Sequence, residues 1–392
     1  MDAAAGEGAP TNLICLPLDS LLQIFSSLPI RQIIVCRSVS KFFYQLLSSP
    51  AFVHHLLITS PSPPLRLIAM RPPHYHHHHR NASRSFSPPP QSSSVLHAFD
   101  SDENKWLELS LEFLPFRSLH PVASSSRGLV YLWGDSVGSS NFSRSLVACN
   151  PLTRQFKVLP HLGSAWSRHG SVLVDSENRV MVLTELAALY YTGSNQWLKF
   201  SSNLPSKPRS PVLMSDSAYA LCDMGSPWRS QWKLFSCSLK SSRSSTHRWT
   251  RLEMEKWGDV FDILKRPRLV KGGSEDQLLM AGVLKSSFSL NASCTTILIL
   301  RLDVKTWDWE EAGQMPVEMF RRFLEESSKF KVFGGGNRVC FSGKRAGRLA
   351  GRLAMWDYSD GNSEWRWIDR VPAIRDGFSR GFVVDAVLTD LP

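Results

Sequence analysis

Three groups of residues in the 392-residue chain have types that could do chemistry. The first is Gly134-Asp135-Ser136-Val137-Gly138, a G-x-S-x-G sequence, which in an acyl hydrolase exposes a nucleophilic serine on a sharp turn between a strand and a helix. The preceding strand is present. However, Ser139-Ser140-Asn141-Phe142-Ser143-Arg144 has no apolar period with which to start a helix, and strands nowhere alternate with helices, so the segment reads as a hairpin turn. The second group is five histidines at 74 and 76–79. His-rich tracts can bind metal, but no Cys or carboxylate neighbours complete a fixed tetrahedral set, and the tract reads as low complexity. The third is charge. The formal net charge is +11, with Lys265, Arg266, Arg268 and Lys271 in one acid-free run and Lys344, Arg345, Arg348 and Arg352 in another. Such runs are either solvated loops or a basic rim that meets an acidic substrate or serves nuclear import. Gly343-Lys344 lacks the rest of a P-loop, no H-E-x-x-H occurs, and His97, His120, His161, His169 and His247 stand singly. No catalytic residue, metal site or cofactor is assigned.

With no reacting group to build around, the elements themselves carry the argument. Leu16 to Phe52 reads as three short amphipathic helices. Leu16-Pro17 opens the first, which repeats Leu18, Leu21, Leu22, Phe25 and Leu28 on one face. Ile24 falls off that stripe at ~100° per residue and widens the apolar surface beyond what one neighbouring helix can cover. Pro29 opens a second helix, Ile30 to Cys36, with Ile33, Ile34 and Val35 on more than one side. The third repeats Val39, Phe42, Phe43, Leu46 and Leu47 and ends at Ser48-Ser49-Pro50. A bundle of ~40 residues normally needs disulfides, a metal or association to hold together. The surplus apolar residues point to association.

These residues resemble the F-box, the adaptor-binding module of Skp-cullin-F-box ubiquitin ligases. The match lies in Leu16-Pro17, the Ile24-Phe25 pair, Leu28-Pro29 and the Val39-x-Lys41-x-Phe43 run. Ser40 stands where the family commonly has cysteine, and Phe43 where it commonly has tryptophan. The resemblance implies an adaptor-binding set of Leu16, Pro17, Leu21, Ile24, Phe25, Leu28, Pro29, Ile33, Val39, Lys41 and Phe43. It also implies a Skp-type adaptor as partner and, through it, a cullin and a RING protein.

Composition fits a globular, multidomain chain, with 43% apolar residues. The start, MDAAAGEGAPTN, has neither the basic residues nor the apolar stretch of a signal peptide, so a cytoplasmic and/or nuclear protein without a membrane span is expected. Seven scattered cysteines without a C-x-x-C pair suggest free thiols. The expected organisation is a disordered start (1–12), an F-box (13–58), a Pro-rich semi-rigid linker (59–64) and a β domain (65–390). Within the last, Leu65 to Met70 and Val95 to Phe99 should form a hairpin around a disordered His/Pro/Ser-rich insertion, 72–94.

From residue 95 a unit recurs: an alternating strand, a polar turn, an aromatic and usually Leu-Pro or Met-Pro. Six copies are anchored by Trp106, Phe156, Trp197, Trp249, Trp307 and Trp365, which lie 41 to 58 residues apart. A period near ~50 with an aromatic after a turn is the mark of kelch repeats, so the expected fold is an all-β propeller of six blades, each aromatic filling the wedge between neighbours. Inner strands are expected from Gly128 to Trp133, Val172 to Val174, Val180 to Leu183, Ala218 to Leu221, Gln277 to Ala281 and Val339 to Phe341. A short amphipathic helix is expected from Met319 to Glu326. Phe382 to Leu388 alternates with no blade left to start, so it should pair with the first blade and close the ring.

As a whole the chain resembles plant F-box/kelch-repeat proteins and F-box-associated propellers. The closer match is carried by Arg127-Gly128-Leu129-Val130, Cys149-Asn150-Pro151-Leu152-Thr153-Arg154 and Leu159-Pro160. The resemblance implies a non-catalytic substrate receptor of a ubiquitin ligase with an unknown protein substrate. A propeller enzyme, or a basic nucleic-acid-associated regulator using the helices only as a tether, is the alternative, since propellers host unrelated functions.

Overall fold

A computed structural model describes residues 13, 16–59, 63–71, 94–135, 144–193, 195–240, 247–285, 296–326, 330–343, 351–359, 361–372 and 379–392. The expected disordered start, half of the linker (60–62) and nearly all of the 72–94 insertion lie outside these residues, as do Ser136, Lys344, Arg345 and Arg348. Four helices lead the chain: α1 (Leu18–Ser26), α2 (Ile30–Val39), α3 (Lys41–Leu47) and α4 (Pro50–Thr59). The fourth was not foreseen. Ser48-Ser49-Pro50 looks like a stop, but it is a start: Pro50 occupies the first helical position, and the Ser49 hydroxyl accepts the Phe52 amide at 3.2 Å.

Six four-stranded antiparallel sheets follow, and their innermost strands touch one another in a closed ring. From axis to rim the first blade is Gly381–Ala386, Leu65–Met70, Val95–Asp100 and Lys105–Ser110. The second runs Ser118–Ser124, Val130–Asp135, Arg144–Asn150 and Gln155–Val158, and the third Ser171–Val174, Val180–Leu183, Ala187–Tyr191 and Leu198–Ser201. The fourth is Arg209–Met214, Ser217–Asp223, Trp232–Ser238 and Trp249–Leu252. The fifth and sixth are Leu264–Lys271, Gln277–Leu284, Ile297–Asp303, Asp308–Gln314 and Phe330–Gly335, Arg338–Gly343, Leu353–Ser359, Asn362–Ile368. The C-terminal strand closes the ring as expected, pairing Leu65 with Ala386 through to Met70 with Gly381. Two helices sit between blades, α5 (Ser164–His169) and α6 (Val317–Glu326); α6 buries Phe320 and Phe323. Among the described residues no helix is long and apolar enough to cross a membrane.

The expected inner strands divide by depth: Val172 to Val174 is innermost, and the other five segments are second from the axis. Second strands are buried on both faces and therefore read as continuous apolar runs, whereas innermost strands turn one face to the axis and carry Arg, Lys, His and Ser. One expectation needs correction: the anchor of the fifth blade is misplaced. In the first and second blades an Asp or Asn ends the third strand and its carboxyl or amide oxygen caps the turn: Asp100 accepts the Asp102 and Glu103 amides, and Asn150 those of Leu152 and Thr153. Asp303 does the same for Lys305 and Thr306. A left-handed residue follows each, Asn104, Arg154 and Trp307, and two positions later the aromatic pairs with the third strand: Trp106 with Phe99, Phe156 with Cys149, Trp309 with Leu302. Trp309, not Trp307, is therefore the equivalent anchor. Nor does every anchor fill a wedge, since Phe156 is exposed while Trp249 is buried. Trp106 and Trp197 instead reach the preceding blade by hydrogen bonding, donating Nε1 to Asp369 O (2.9 Å) and Pro160 O (3.0 Å).

Antiparallel order gives the propeller two unlike ends. All innermost strands run the same way, so their C-terminal ends and the loops into the second strands share one mouth. There a belt of hydrogen bonds passes from blade to blade. Arg179 donates to Ser215 O, and the Ser215 hydroxyl to Glu275 (2.8 Å). The Gly273 amide donates to Asn337 (2.8 Å), and buried Arg338 pairs with Asp385. The C-terminal tail completes the circle: Asn150 donates to Val387 O (2.9 Å) and Asp390 O (3.0 Å), and Asn178 to the Asp390 carboxylate (3.4 Å). Gly128 lies in this belt at φ +94°, where an added Cβ would come within 2.7 Å of Asp385 O, so the Arg127-Gly128-Leu129-Val130 phrase needs its glycine.

Candidate functional site

Leucine-proline steps set the helix starts. Pro17 and Pro29, both extended (ψ 146° and 148°), hold the N-terminal boundaries of α1 and α2 without a side-chain cap. Asp19 adds a negative charge to the first turn of α1, where it favours the helix dipole. Ser40, the departure from the usual cysteine, has a structural use: its hydroxyl caps α3 by accepting the Phe43 amide at 3.2 Å. Phe43, the departure from the usual tryptophan, is half-buried with its ring edge-on to Phe25, 5.2 Å between centroids.

The helices complete their core within the chain. Leu21, Leu22, Phe25, Ile30, Ile33, Leu46, Leu47, Phe52 and Leu56 form one continuous apolar cluster with side chains of the first two blades, among them Leu65, Leu96, Val130 and Val384. Three members of the expected adaptor-binding set, Leu21, Phe25 and Ile33, are thus core residues and present no surface to a partner. Two arginines lock the packing at the belt-bearing mouth. Arg31 on α2 donates to both oxygens of Asp100 (2.8 and 2.6 Å) and to Asp102 (3.0 Å). Burial pushes the Asp100 carboxyl up, but the Arg31 guanidinium and the Glu103 and Asp102 amides outweigh it and hold it below the ordinary carboxylate range. Arg37, whose basicity burial lowers, joins Leu47 O (2.7 Å) to Leu152 O in the second blade (2.9 Å). Sequence reading missed both arginines, because an Arg on a helix face carries no sign of what it will meet.

What remains exposed defines the candidate docking face. Of eighteen large hydrophobic side chains exposed among the described residues, ten lie between 13 and 58: Leu13, Leu16, Leu18, Ile24, Val35, Val39, Phe42, Tyr44, Leu57 and Ile58. That density in so short a segment marks an interaction surface rather than scatter. Leu16, Ile24 and Val39 of the expected set are in it, Pro17, Pro29 and Lys41 are exposed beside them, and Leu28 is half-buried. Val35 and Tyr44 are exposed here too but lie outside the expected set, which the resemblance supplied; Val35 was already marked as surplus by the apolar residues on more than one side of the second helix. A groove of about 300 Å³ opens between Leu18, Leu22, Phe42, Leu46, Ser49 and Ala51.

Among the described residues, two features bear on bond-making chemistry. Val130–Asp135, which carries Gly134 and Asp135, lies in an antiparallel sheet, not the parallel one a nucleophile elbow requires. Cys149, Cys222, Cys237 and Cys340 are buried free thiols; burial pushes Cys149, Cys237 and Cys340 up to about 12 and Cys222 to about 11, which keeps them protonated and unreactive.

The fold and site define a class: a helical docking module fused through a shared core to a closed six-bladed propeller. Residues 13–55 match the family model of the F-box domain. SKP1-interacting partner 15 of Arabidopsis thaliana is 63% identical over 389 residues, covering 98% of this chain and all of that protein. The chain belongs to the F-box proteins, in one family with that relative. A putative F-box protein of the same plant is 26% identical over 163 residues, 38% of this chain and 44% of its own length. Among solved structures, the β-propeller domain of the Trilobed protease from Pyrococcus furiosus aligns with 71% of this chain and 81% of its own, at 10% identity and a TM-score of 0.38.

Proposed function

We propose that this chain is the substrate-recognition subunit of a Skp-cullin-F-box ubiquitin ligase. The exposed face of the leading helices docks a Skp-type adaptor, which brings the cullin and RING protein, while the propeller holds a target protein for ubiquitin transfer by other subunits. The observation that carries this reading is the crowding of ten exposed apolar side chains into residues 13–58, on helices whose inner face is already occupied by the propeller. The named partner of the 63% identical relative supports the same adaptor. The chain is a non-catalytic receptor of the cytoplasm and/or nucleus, and its blades, with an aromatic after each turn, are kelch-related.

The test is co-purification with a Skp adaptor. Leu16→Asp with Ile24→Asp changes only exposed positions, so it should abolish adaptor capture and leave the melting temperature of the chain within about 2 °C of the parent, the range expected of surface changes. Unchanged capture by a folded double variant would overturn the assignment.

A further inference from the structure

The end of the propeller away from the helices is built differently from the belted end. It is formed by the N-terminal ends of the innermost strands and the loops that leave the second strands. Six cations converge there on the axis: Arg71 and Arg380 from the first blade, Arg209 from the fourth, Arg266 and Arg268 from the fifth and Lys331 from the sixth. Among the described residues Arg71, Arg209, Arg266, Arg268 and Arg380 form no salt bridge. Arg71 is instead tied to Val122 O and lies over the Phe382 ring, and Arg209 stacks on Trp232 with its Cζ 4.2 Å from the ring centre. Two carboxylates of this end are engaged by other groups. Asp223, whose charge acts on Arg209, accepts the Gly225 and Gln231 amides (3.0 and 2.9 Å), and Asp135 pairs with Arg144 at 2.6 Å. Burial first, and then neighbouring Arg209, Arg266 and Arg380, pulls Arg268 down to about 10; burial and then Arg380 do the same to Arg71. Holding like charges together at such a cost is the arrangement of a site that waits for negative charge.

A second observation on the same rim concerns what surrounds the charge. The turn after Ser217–Asp223 carries Trp228, 95% exposed, and Met224, 42% exposed. The turn is pinned by the two Asp223 hydrogen bonds and by the Ser226 to Arg229 bridge, so the indole is held out on an ordered loop. A fully exposed tryptophan at the same end of the propeller as an arginine cluster is the composition of a protein-binding anchor. The cations also converge on one recessed point, with Arg71, Arg209, Arg268 and Lys331 half-buried, rather than following a track as a nucleic-acid backbone requires.

We infer that this mouth is the target-binding site, and that it takes an acidic peptide segment, best a phosphorylated one, whose anionic groups enter the arginine cluster while an adjacent apolar side chain packs on Trp228. The inference rests on the receptor reading above and deepens it. It places target and adaptor on opposite ends of the propeller, so both can be held at once.

The test uses the full chain in complex with its adaptor and a fluorescent decapeptide carrying two phosphoserines and a leucine. Wild type should bind it, more weakly as salt rises. Arg268→Gln with Arg380→Gln should weaken binding at least about tenfold, and Trp228→Ala by about tenfold. Lys157→Gln with Lys199→Gln removes the same charge from exposed outer strands and should change nothing. Arg268→Lys keeps the charge and should keep most of the binding, which guards against a folding artefact in the glutamine pair. No binding at low salt, or a glutamine pair that binds like wild type, would overturn the inference. So would tighter binding of a ten-nucleotide uridine RNA than of the peptide, or inorganic tripolyphosphate binding as tightly as the peptide with Trp228→Ala silent. Adaptor co-elution is read on the same samples: retained adaptor with absent peptide binding sinks this inference alone, whereas lost adaptor sinks the receptor reading.

Discussion

The two mouths of the propeller are made from the same six strands and have opposite electrostatic character. At the end bearing the helices the arginines and the lysine of the belt are paired: Arg338 with Asp385, Arg179 with Asp175, Lys271 with Glu275, and Arg31 with Asp100. At the other, Arg71, Arg209, Arg266, Arg268 and Arg380 make no salt bridge among the described residues. A blade has no intrinsic reason for this difference, since both ends are loops. The paired end maintains ring closure and anchors the docking module, so its charges are used on the chain itself. The unpaired end is where stability is given up, and giving up stability is how folds commonly carry binding surfaces.

The severest test of the closed, belted end is truncation after Arg380. This removes Gly381–Ala386, the innermost strand of the first blade, together with the tail that Asn150 and Asn178 hold. An open edge is left, and Phe382, Val384 and Leu388 are withdrawn from the cluster that supports the helices. The loss should consume most of the 5–15 kcal/mol by which a domain is ordinarily stable, roughly. Size-exclusion chromatography should show aggregates, and adaptor capture should fall too, because helices and blades share one core. A monomeric truncated chain with an unchanged melting temperature would contradict ring closure.

A single pair should come next. Asp385→Ala leaves Arg338, only 1% exposed, with a buried charge and no counter-ion, which costs about 3 kcal/mol. Urea denaturation should register that as a lower midpoint with the same slope, and Arg338→Met together with Asp385→Leu should recover most of it. Acid probes the same belt. Burial raises the Glu275 carboxyl, but Lys271 and Ser215 dominate and bring it to about 2; Asp100 is likewise held low. Both are depressed below their unfolded values, so the stability they supply is complete above about pH 4 and is lost as pH falls through the folded values. Melting temperature should therefore drop between about pH 4 and pH 2, and Asp100→Asn should flatten part of that limb.

How far the sequence could anticipate this contrast differs by element. Spacing of Trp106, Phe156, Trp197, Trp249, Trp307 and Trp365 was enough to count six blades, even with Trp307 two residues off its true anchor, because each blade repeats a turn with the same chemical needs. It could not give radial order. Gly128 to Trp133 and Gln277 to Ala281 read only as inner strands, and burial on both faces is what goes with their place second from the axis. Strand depth depends on what lies on both faces, which local pattern does not record. The docking face was legible as surplus, since Ile24 falls off the inward stripe of the first helix and Ile33, Ile34 and Val35 lie on more than one side of the second. Its division from the core was not, because Leu21, Phe25 and Ile33 are assigned inward only once blades one and two arrive to cover them. The basic mouth was half visible: Lys265, Arg266 and Arg268 form a run in the sequence, but Arg71, Arg209 and Arg380 join them only through the ring.

The gentlest test asks whether charge removal has opposite signs at the two ends. Arg268 faces Arg209, Arg266 and Arg380, and its charged form is disfavoured by burial and by those neighbours. Its guanidinium donates to the neighbouring Pro267 O at 3.1 Å, so neutralisation loses little bonding. Arg268→Gln should therefore raise stability or leave it unchanged, by about 0–1 kcal/mol, where Asp385→Ala lowers it severalfold more. Repulsion among partly exposed charges is screened by salt, so the gain should be largest near 10 mM ionic strength, where the screening length is ~30 Å, and fade toward 1 M. Parallel melts of Arg268→Gln and wild type over that salt range decide the matter. A variant that is destabilised by more than about 1 kcal/mol, with no dependence on salt, would mean that the cation is held by bonds of its own, and the difference between the mouths would then lie in geometry and not in charge.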